Sequence, residues 1–211
     1  MKLKQLKQNI GNLLYFTKND LRTLEPDKNT LDANIKYWIK NNQIKKIKNG
    51  LYILSDQYRD TDNKDFYLEY LANQTISPSY LSGEYVLSKY SLLTEAVFAI
   101  TSVTTKATRE ISNDLMSFRY YSISPNLFTG FATKNFQKAL IFEASKEKAI
   151  FDFFYFRFFR KNPVTVEKIN NLRINWENLS QKEFAKSKKY FDSSDNKNIQ
   201  KAYQIIINQF L

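Results

Sequence analysis

Hydrophobic residues recur through the first forty positions at helical spacing. Leu3, Leu6, Ile10, Leu13 and Leu14 are separated by Lys and Gln, which predicts an amphipathic first helix ending near Leu14. In Phe16-Thr17-Lys18-Asn19-Asp20-Leu21, Thr17 is placed to cap a second helix, Asp20 to reach back to it, and Phe16 and Leu21 to close as a hydrophobic staple. That helix runs to about Leu24 and stops before Pro26. A third begins at Asp27 or Asn29, either of which can cap it, and Leu31, Ile35, Trp38 and Ile39 form its buried stripe. Thr30, Asn34, Lys36, Tyr37 and Lys40 lie on its polar face. From Ile44 to Leu54 the pattern changes to two short strands joined by Asn49-Gly50, a strong hairpin signal because both residues tolerate positive φ.

Residues 55–65 are polar and acidic without apolar periodicity and read as a linker. Phe66, Leu68, Tyr70 and Leu71 open a new apolar segment. Ser82 is placed to cap a helix that carries Glu84 in its first turn and continues to about Leu93. Ala96 to Thr105, Phe118 to Ser124 and Leu140 to Glu143 read as strands. Lys146 to Arg160 reads as a helix dense in Phe. Two later helices begin at Ser180, where Glu183 completes a capping box, and near Asp195. The last of these places Ile199, Ala202, Tyr203, Ile206 and Phe210 on one face. The expected fold is α+β: a winged helix-turn-helix at residues 1–54, then a mixed α+β domain over 66–211 with C-terminal helices.

Composition narrows the chemistry. The chain has no Cys and no His, so thiolate chemistry, Cys-ligated metals and Ser-His or Cys-His nucleophile pairs are excluded. No cofactor and no catalytic residue is expected. The most apolar run, Ala149 to Phe159, is about half of the ~20 residues that a membrane span needs, and Asp152 and Arg157 interrupt it. The N-terminus lacks the continuous apolar run and small-residue cleavage site of a signal peptide. A cytoplasmic protein with no membrane partner is the expectation.

The net charge is +11, and its distribution says more than its sum. Residues 1–54 carry 11 Lys/Arg against 4 Asp/Glu, residues 55–159 carry 11 against 12, and residues 160–211 carry 10 against 5. Positive charge concentrated on three helices and a hairpin points to double-stranded DNA, with the third helix in the major groove. The candidate DNA-binding residues are Lys28, Asn29, Thr30, Asn34, Lys36 and Tyr37 on that helix and Lys45, Lys46 and Lys48 on the wing. The lysines suit phosphates, whereas Asn29, Thr30 and Asn34 suit base edges.

Two stretches carry a family resemblance. The run Tyr80-Leu-Ser-Gly-Glu-Tyr-Val-Leu-Ser-Lys-Tyr-Ser-Leu-Leu-Thr-Glu-Ala-Val-Phe-Ala-Ile-Thr-Ser-Val-Thr-Thr-Lys-Ala-Thr-Arg109 resembles the core segment of the AbiEi antitoxins, the type IV abortive-infection family. Ala144-Ser-Lys-Glu-Lys-Ala-Ile-Phe-Asp-Phe-Phe-Tyr155 resembles a helix of the same family, with a Glu-Lys-Ala pattern followed by apolar residues and Asp. The resemblance covers roughly residues 5–160, and an N-terminal winged helix belongs to that family too. It implies an antitoxin that represses its own operon at inverted repeats in the promoter, and a homodimer on DNA is expected because inverted repeats are read by symmetric partners. It also implies a functional partner, a nucleotidyltransferase-like toxin encoded beside it, which need not be bound directly. Thr101, Thr104, Thr105, Lys106 and Arg109 are then the candidate antitoxin surface.

Two other readings are open at this point. A carboxylate- and metal-dependent nuclease would draw on Asp114, Glu143, Lys146 and Glu147, since two-metal chemistry needs no histidine. A membrane-surface or protein-interaction module would use the Phe-rich helix and the basic C-terminal region. Lys182, Lys186, Lys188 and Lys189 are expected on one short helix, where they would add non-specific DNA contacts.

Overall fold

The computed structural model of the protein describes residues 2–159 and 163–211. The sequence-predicted helix end at Arg160 lies outside the described residues. The chain is α+β. It opens with helix α1 (Leu3–Ile10), strand β1 (Phe16–Thr17), helices α2 (Lys18–Arg22) and α3 (Lys28–Lys40), and strands β2 (Ile44–Lys48) and β3 (Leu51–Leu54). The strands form an antiparallel sheet in the order β1-β3-β2, so β2 is a free edge. The capping box at Thr17 and Asp20 is present, and Asp27 caps α3 by accepting from the Thr30 N–H at 2.8 Å. Helix α1 stops at Ile10, earlier than its apolar pattern implies, and Phe16 instead enters β1, opposite Tyr52.

The β2–β3 hairpin serves two cores. Tyr52 and Leu54 pack with Leu6, Ile10, Phe16, Leu21, Leu31, Ile35, Trp38 and Ile44, whereas Leu51 and Ile53 belong to the main core. Alternate residues of a strand point to opposite faces, which is why all four positions of β3 are buried. Only Gly50 of the turn has a positive φ, +80°, so Asn49 does not use the left-handed freedom that made Asn-Gly a hairpin signal. Residues 55–65 are not structureless: α4 (Ser55–Arg59) follows β3 directly, and Tyr58 packs against the main core.

The second part is a six-stranded sheet with helices on both faces. Helix α5 (Lys64–Thr75) precedes β4 (Ser79–Leu81), α6 (Glu84–Lys89), β5 (Ala99–Thr104), β6 (Arg109–Ser112) and β7 (Ser117–Ser122). After them come β8 (Phe131–Phe136), β9 (Ala139–Ala144) and α7 (Lys146–Phe158). The sheet order is β6-β7-β5-β4-β9-β8, parallel at β5–β7 and β4–β9 and antiparallel elsewhere. Adjacent residues of β7 show the layering. The Tyr120 hydroxyl donates to the Ala72 carbonyl of α5 at 2.7 Å, and the Tyr121 ring stacks on Phe156 of α7 with centroids 4.7 Å apart. The sheet is therefore sandwiched between α5 and α7, and β5 is buried along its whole length.

Short helices α8 (Val166–Asn170), α9 (Gln181–Ala185) and α10 (Lys188–Asp192) and a longer α11 (Lys197–Gln209) close the chain over α7. Ile199, Ala202, Tyr203 and Ile206 form the buried face of α11, as its sequence pattern predicts. The capping box at Ser180 and Glu183 is present, but the helix it starts ends at Ala185. Lys182 and Lys186 therefore do not share a helix with Lys188 and Lys189. Among the described residues no helix is long and apolar enough to cross a membrane.

Candidate nucleic-acid interface

Helix α3 presents a clean division of faces. Leu31, Ile35 and Trp38 are buried, and at 100° per residue the opposite side collects Asn29, Ala33, Lys36, Tyr37 and Lys40, all exposed. Tyr37 is 59% exposed, a large ring left in solvent on a helix whose other aromatic residue is buried. Lys28 and Thr30 are exposed at the helix start. The Asp27 carboxyl sits below its usual range because the Thr30 side chain and then the Thr30 N–H bond to its charged form. Asn34 departs from the sequence expectation: it is half-buried on the flank of the core, with its Nδ2 buried and without a partner among the described residues.

The wing lysines are not equivalent. Cross-strand partners share a face, and Lys45 is opposite Ile53, Lys46 opposite Tyr52 and Lys48 opposite Leu51, with a bulge between Lys46 and Lys48. Lys45 and Lys48 therefore lie on the face turned to the main core, and only Lys46 is fully exposed. The Lys48 ammonium donates to the Thr75 carbonyl at 2.5 Å. Burial pushes its pKa down, and the positive charges of Lys106 and Arg109 add to that effect. Lys106 in the β5–β6 loop and Arg109 at the start of β6 thus act electrostatically on Lys48 of the hairpin, which links two residue groups that are separate in the sequence reading.

The candidate antitoxin surface is only partly a surface. Thr105, Lys106 and Arg109 are exposed, but Thr101 and Thr104 are 2% and 0% exposed. Thr101 Oγ1 donates to the Ser82 carbonyl and accepts from the Tyr85 N–H at 3.0 Å, so it caps α6, whose own N-cap residue, Gly83, has no side chain. Thr104 Oγ1 donates to the Pro78 carbonyl at 2.6 Å and accepts from the Lys106 N–H at 3.2 Å. Both threonines hold strands and loops in place.

The carboxylates of the nuclease reading are dispersed. Asp114 lies in the β6–β7 turn and Glu143 on β9, and β6 and β9 are four strand spacings apart, roughly 19 Å. Glu143 is bound by Lys89 at 2.5 Å and Lys134 at 2.7 Å, and both lysines also hold the buried Glu69. Lys146 pairs with Glu183 at 2.8 Å. No group of three or more acidic side chains among the described residues is arranged to hold a metal ion.

A buried network that sequence reasoning missed joins the two stretches quoted for the family resemblance. Lys148 Nζ and Asp152 Oδ1 are 2.7 Å apart and both side chains are fully buried. Asp152 Oδ2 accepts from the Ser82 hydroxyl at 2.7 Å and the Tyr80 hydroxyl at 3.1 Å. Ser82, expected to cap α6, instead holds this carboxylate. Burial pushes the Asp152 pKa up, against the pull of Lys148, Ser82 and Tyr80, and it pushes Lys148 down against the pull of Asp152. Gly130, at φ +78°, passes so close that a Cβ there would meet the Tyr190 hydroxyl at 2.4 Å and Lys148 Cγ at 3.0 Å. The i, i+4 spacing of Lys148 and Asp152 inside an otherwise apolar helix is the signal that could have found it.

No protein-family model matches this chain, and no curated protein matches it in sequence.

Proposed function

We propose that this protein is a DNA-binding transcriptional regulator of the AbiEi type, acting as the antitoxin of a type IV abortive-infection system. The observation that carries the reading is the outer face of α3. Asn29, Lys36, Tyr37 and Lys40 stand in solvent opposite a fully buried stripe, with a basic hairpin directly following. Three helices with the strand order β1-β3-β2 match the layout of a winged helix-turn-helix, whose third helix enters the major groove. On this reading Lys36, Lys40 and Lys46 neutralise phosphates, and Asn29, Thr30 and Tyr37 reach base edges or sugars.

The regulatory part of the proposal rests on the resemblance of residues 80–109 and 144–155. The protein represses its own promoter at inverted repeats as a homodimer in the cytoplasm, and it counteracts a nucleotidyltransferase-like toxin. Of the residues considered for the antitoxic role, Thr105, Lys106 and Arg109 are the exposed ones.

A two-part cell assay tests it. A reporter driven by the promoter upstream of this gene is repressed by the full chain and released by Lys36→Glu with Tyr37→Ala. The same double variant still protects cells from the neighbouring toxin if the antitoxic role lies beyond residue 54. Unchanged repression by the double variant contradicts the α3 assignment, and no protection by the wild-type chain contradicts the antitoxin.

A further inference from the structure

A cavity of about 330 Å³ opens between the α6–β5 loop, the start of β7, α7 and the segment after α8. Arginines from three separate elements line it. Arg119 stands on the face of β7 that also carries Tyr121 and is turned to α7, Arg157 lies on α7 itself, and Arg173 follows α8. Leu93, Val97, Phe98 and Leu172 supply an apolar wall, and the Phe98 ring is 85% exposed.

The arginines are held in place without being saturated. The Arg157 guanidinium donates to Glu84 at 2.8 Å and to the Phe153 carbonyl at 3.0 Å, and it lies 3.5 Å from the centre of the Phe153 ring. Arg173 has a φ of +52°, uncommon for a residue other than Gly, and its carbonyl accepts from the Thr94 N–H at 3.3 Å and the Thr94 hydroxyl at 3.0 Å. Its side chain bonds Glu95 through Nη1 alone, and Arg119 bonds Glu110 through Nε alone. Arg173 Nη2 and both Nη groups of Arg119 are therefore open donors among the described residues. The two side chains are 69% and 50% exposed, so these donors meet solvent. Of the carboxylates, Glu84 and Glu95 line the cavity and Glu110 does not, which leaves one positive charge in surplus.

We propose that this cavity binds a small organic monocarboxylate, its carboxylate taken by the open donors of Arg119 and Arg173 and its apolar body laid against Leu93, Val97, Phe98 and Leu172. The planar fork of a guanidinium matches a carboxylate, and such charge-assisted bonds are the strong ones. A single surplus charge balances a monoanion, whereas a phosphate monoester would bring nearly two negative charges beside Glu84 and Glu95. The volume stands at the lower end of the ~300–1,000 Å³ of small-molecule pockets, which suits an acid of one or two rings. The site lies beyond the winged helix and stands or falls independently of DNA binding.

Calorimetric titration of the full chain with benzoate and naphthoate tests the proposal, with the corresponding amides as uncharged isosteres and phenyl phosphate as the more highly charged anion. At least one acid binds with a Kd below about 1 mM and more tightly than its amide or phenyl phosphate. Arg119→Gln weakens that acid about tenfold through the loss of charge-assisted bonds. It leaves the unfolding midpoint close to that of the wild type, because the pair it makes with Glu110 is at the surface. Glu95→Gln removes a carboxylate from the lining and strengthens binding, a gain that a merely structural role would not produce. The proposal is overturned if neither acid binds, if the amides or phenyl phosphate bind as well as the acids, if Arg119→Gln leaves affinity unchanged, or if Glu95→Gln fails to raise it.

Discussion

Lys148 and Asp152 lie one helical turn apart on α7 and form a 2.7 Å ion pair with neither side chain exposed to solvent. Two charges removed from water persist only where further hydrogen bonds complete them, and the Tyr80 and Ser82 hydroxyls do this for Asp152. The pair therefore ties α7 to β4 and the loop after it, in the middle of the main core.

Breaking the pair from one side leaves an uncompensated buried charge. Asp152→Asn or Lys148→Met is expected to lower unfolding free energy by about 3–5 kcal/mol, measured by denaturant titration. Lys148→Met combined with Asp152→Leu should cost less than the sum of the two single variants. It should not return to wild type, because the Tyr80 and Ser82 hydroxyls lose their acceptor. Additive losses would show that the two groups do not act as a pair.

Thr101 supplies the cap that Gly83 cannot. Thr101→Val keeps the shape of the side chain and leaves the Tyr85 N–H unmatched, so a loss of about 1–3 kcal/mol in stability is expected. Thr101→Ser, which retains the hydroxyl, should recover most of it. DNA affinity should be unchanged in both variants. A Thr101→Val protein as stable as wild type, yet altered in toxin protection, would return this residue to the functional surface.

Glu183 gives a pH signature. Its pKa is lowered to about 2, first by the Lys146 ammonium and then by the Ser180 N–H and hydroxyl of the capping box. A depressed carboxylate contributes stability that is fully present above its unfolded value near 4.5 and is lost as pH falls through about 2. Glu183→Gln should therefore flatten the stability profile between about pH 4.5 and 2 and leave its shape above pH 6 unchanged. An identical acid limb in the variant would show that the pairing with Lys146 does not form in solution.

Helices with one buried face were legible in the sequence, because burial of one side imposes a 3.6-residue period: the stripe of α3 and the face of α11 match their patterns. Three of the four inner strands were legible too, since β5, β7 and β9 are rich in aliphatic and aromatic residues, whereas the inner strand β4, Ser79–Leu81, is three residues long and too short to show a period. The edge strands β6 and β8 were not. In Arg109–Ser112 three of four residues are exposed and in Phe131–Phe136 only Phe136 is buried, so neither carries the apolar signal of a strand buried on both faces. Strand β1 is two residues long and exists only through its pairing with β3. At the interface, residue types alone placed Asn34, Lys45 and Lys48 beside Lys46. Helical angle and the bulge in β2 separate them.

For the wing, Lys46→Ala should reduce the dependence of DNA affinity on salt by about one unit of logarithmic slope, the signature of one lost phosphate contact. Lys48→Ala should change the slope less, because its ammonium bonds the Thr75 carbonyl instead of standing in solvent. Equal effects of the two substitutions would contradict the difference in their orientation.

The most direct test of the central claim is a salt-titrated binding assay of the full chain against its own upstream promoter and a scrambled duplex of equal length. The account predicts a preference for the promoter that survives about 0.15 M salt and is lost on removing the exposed groups of α3 at Lys36 and Tyr37. Equal, salt-sensitive binding to both duplexes, unaffected by those substitutions, would contradict it.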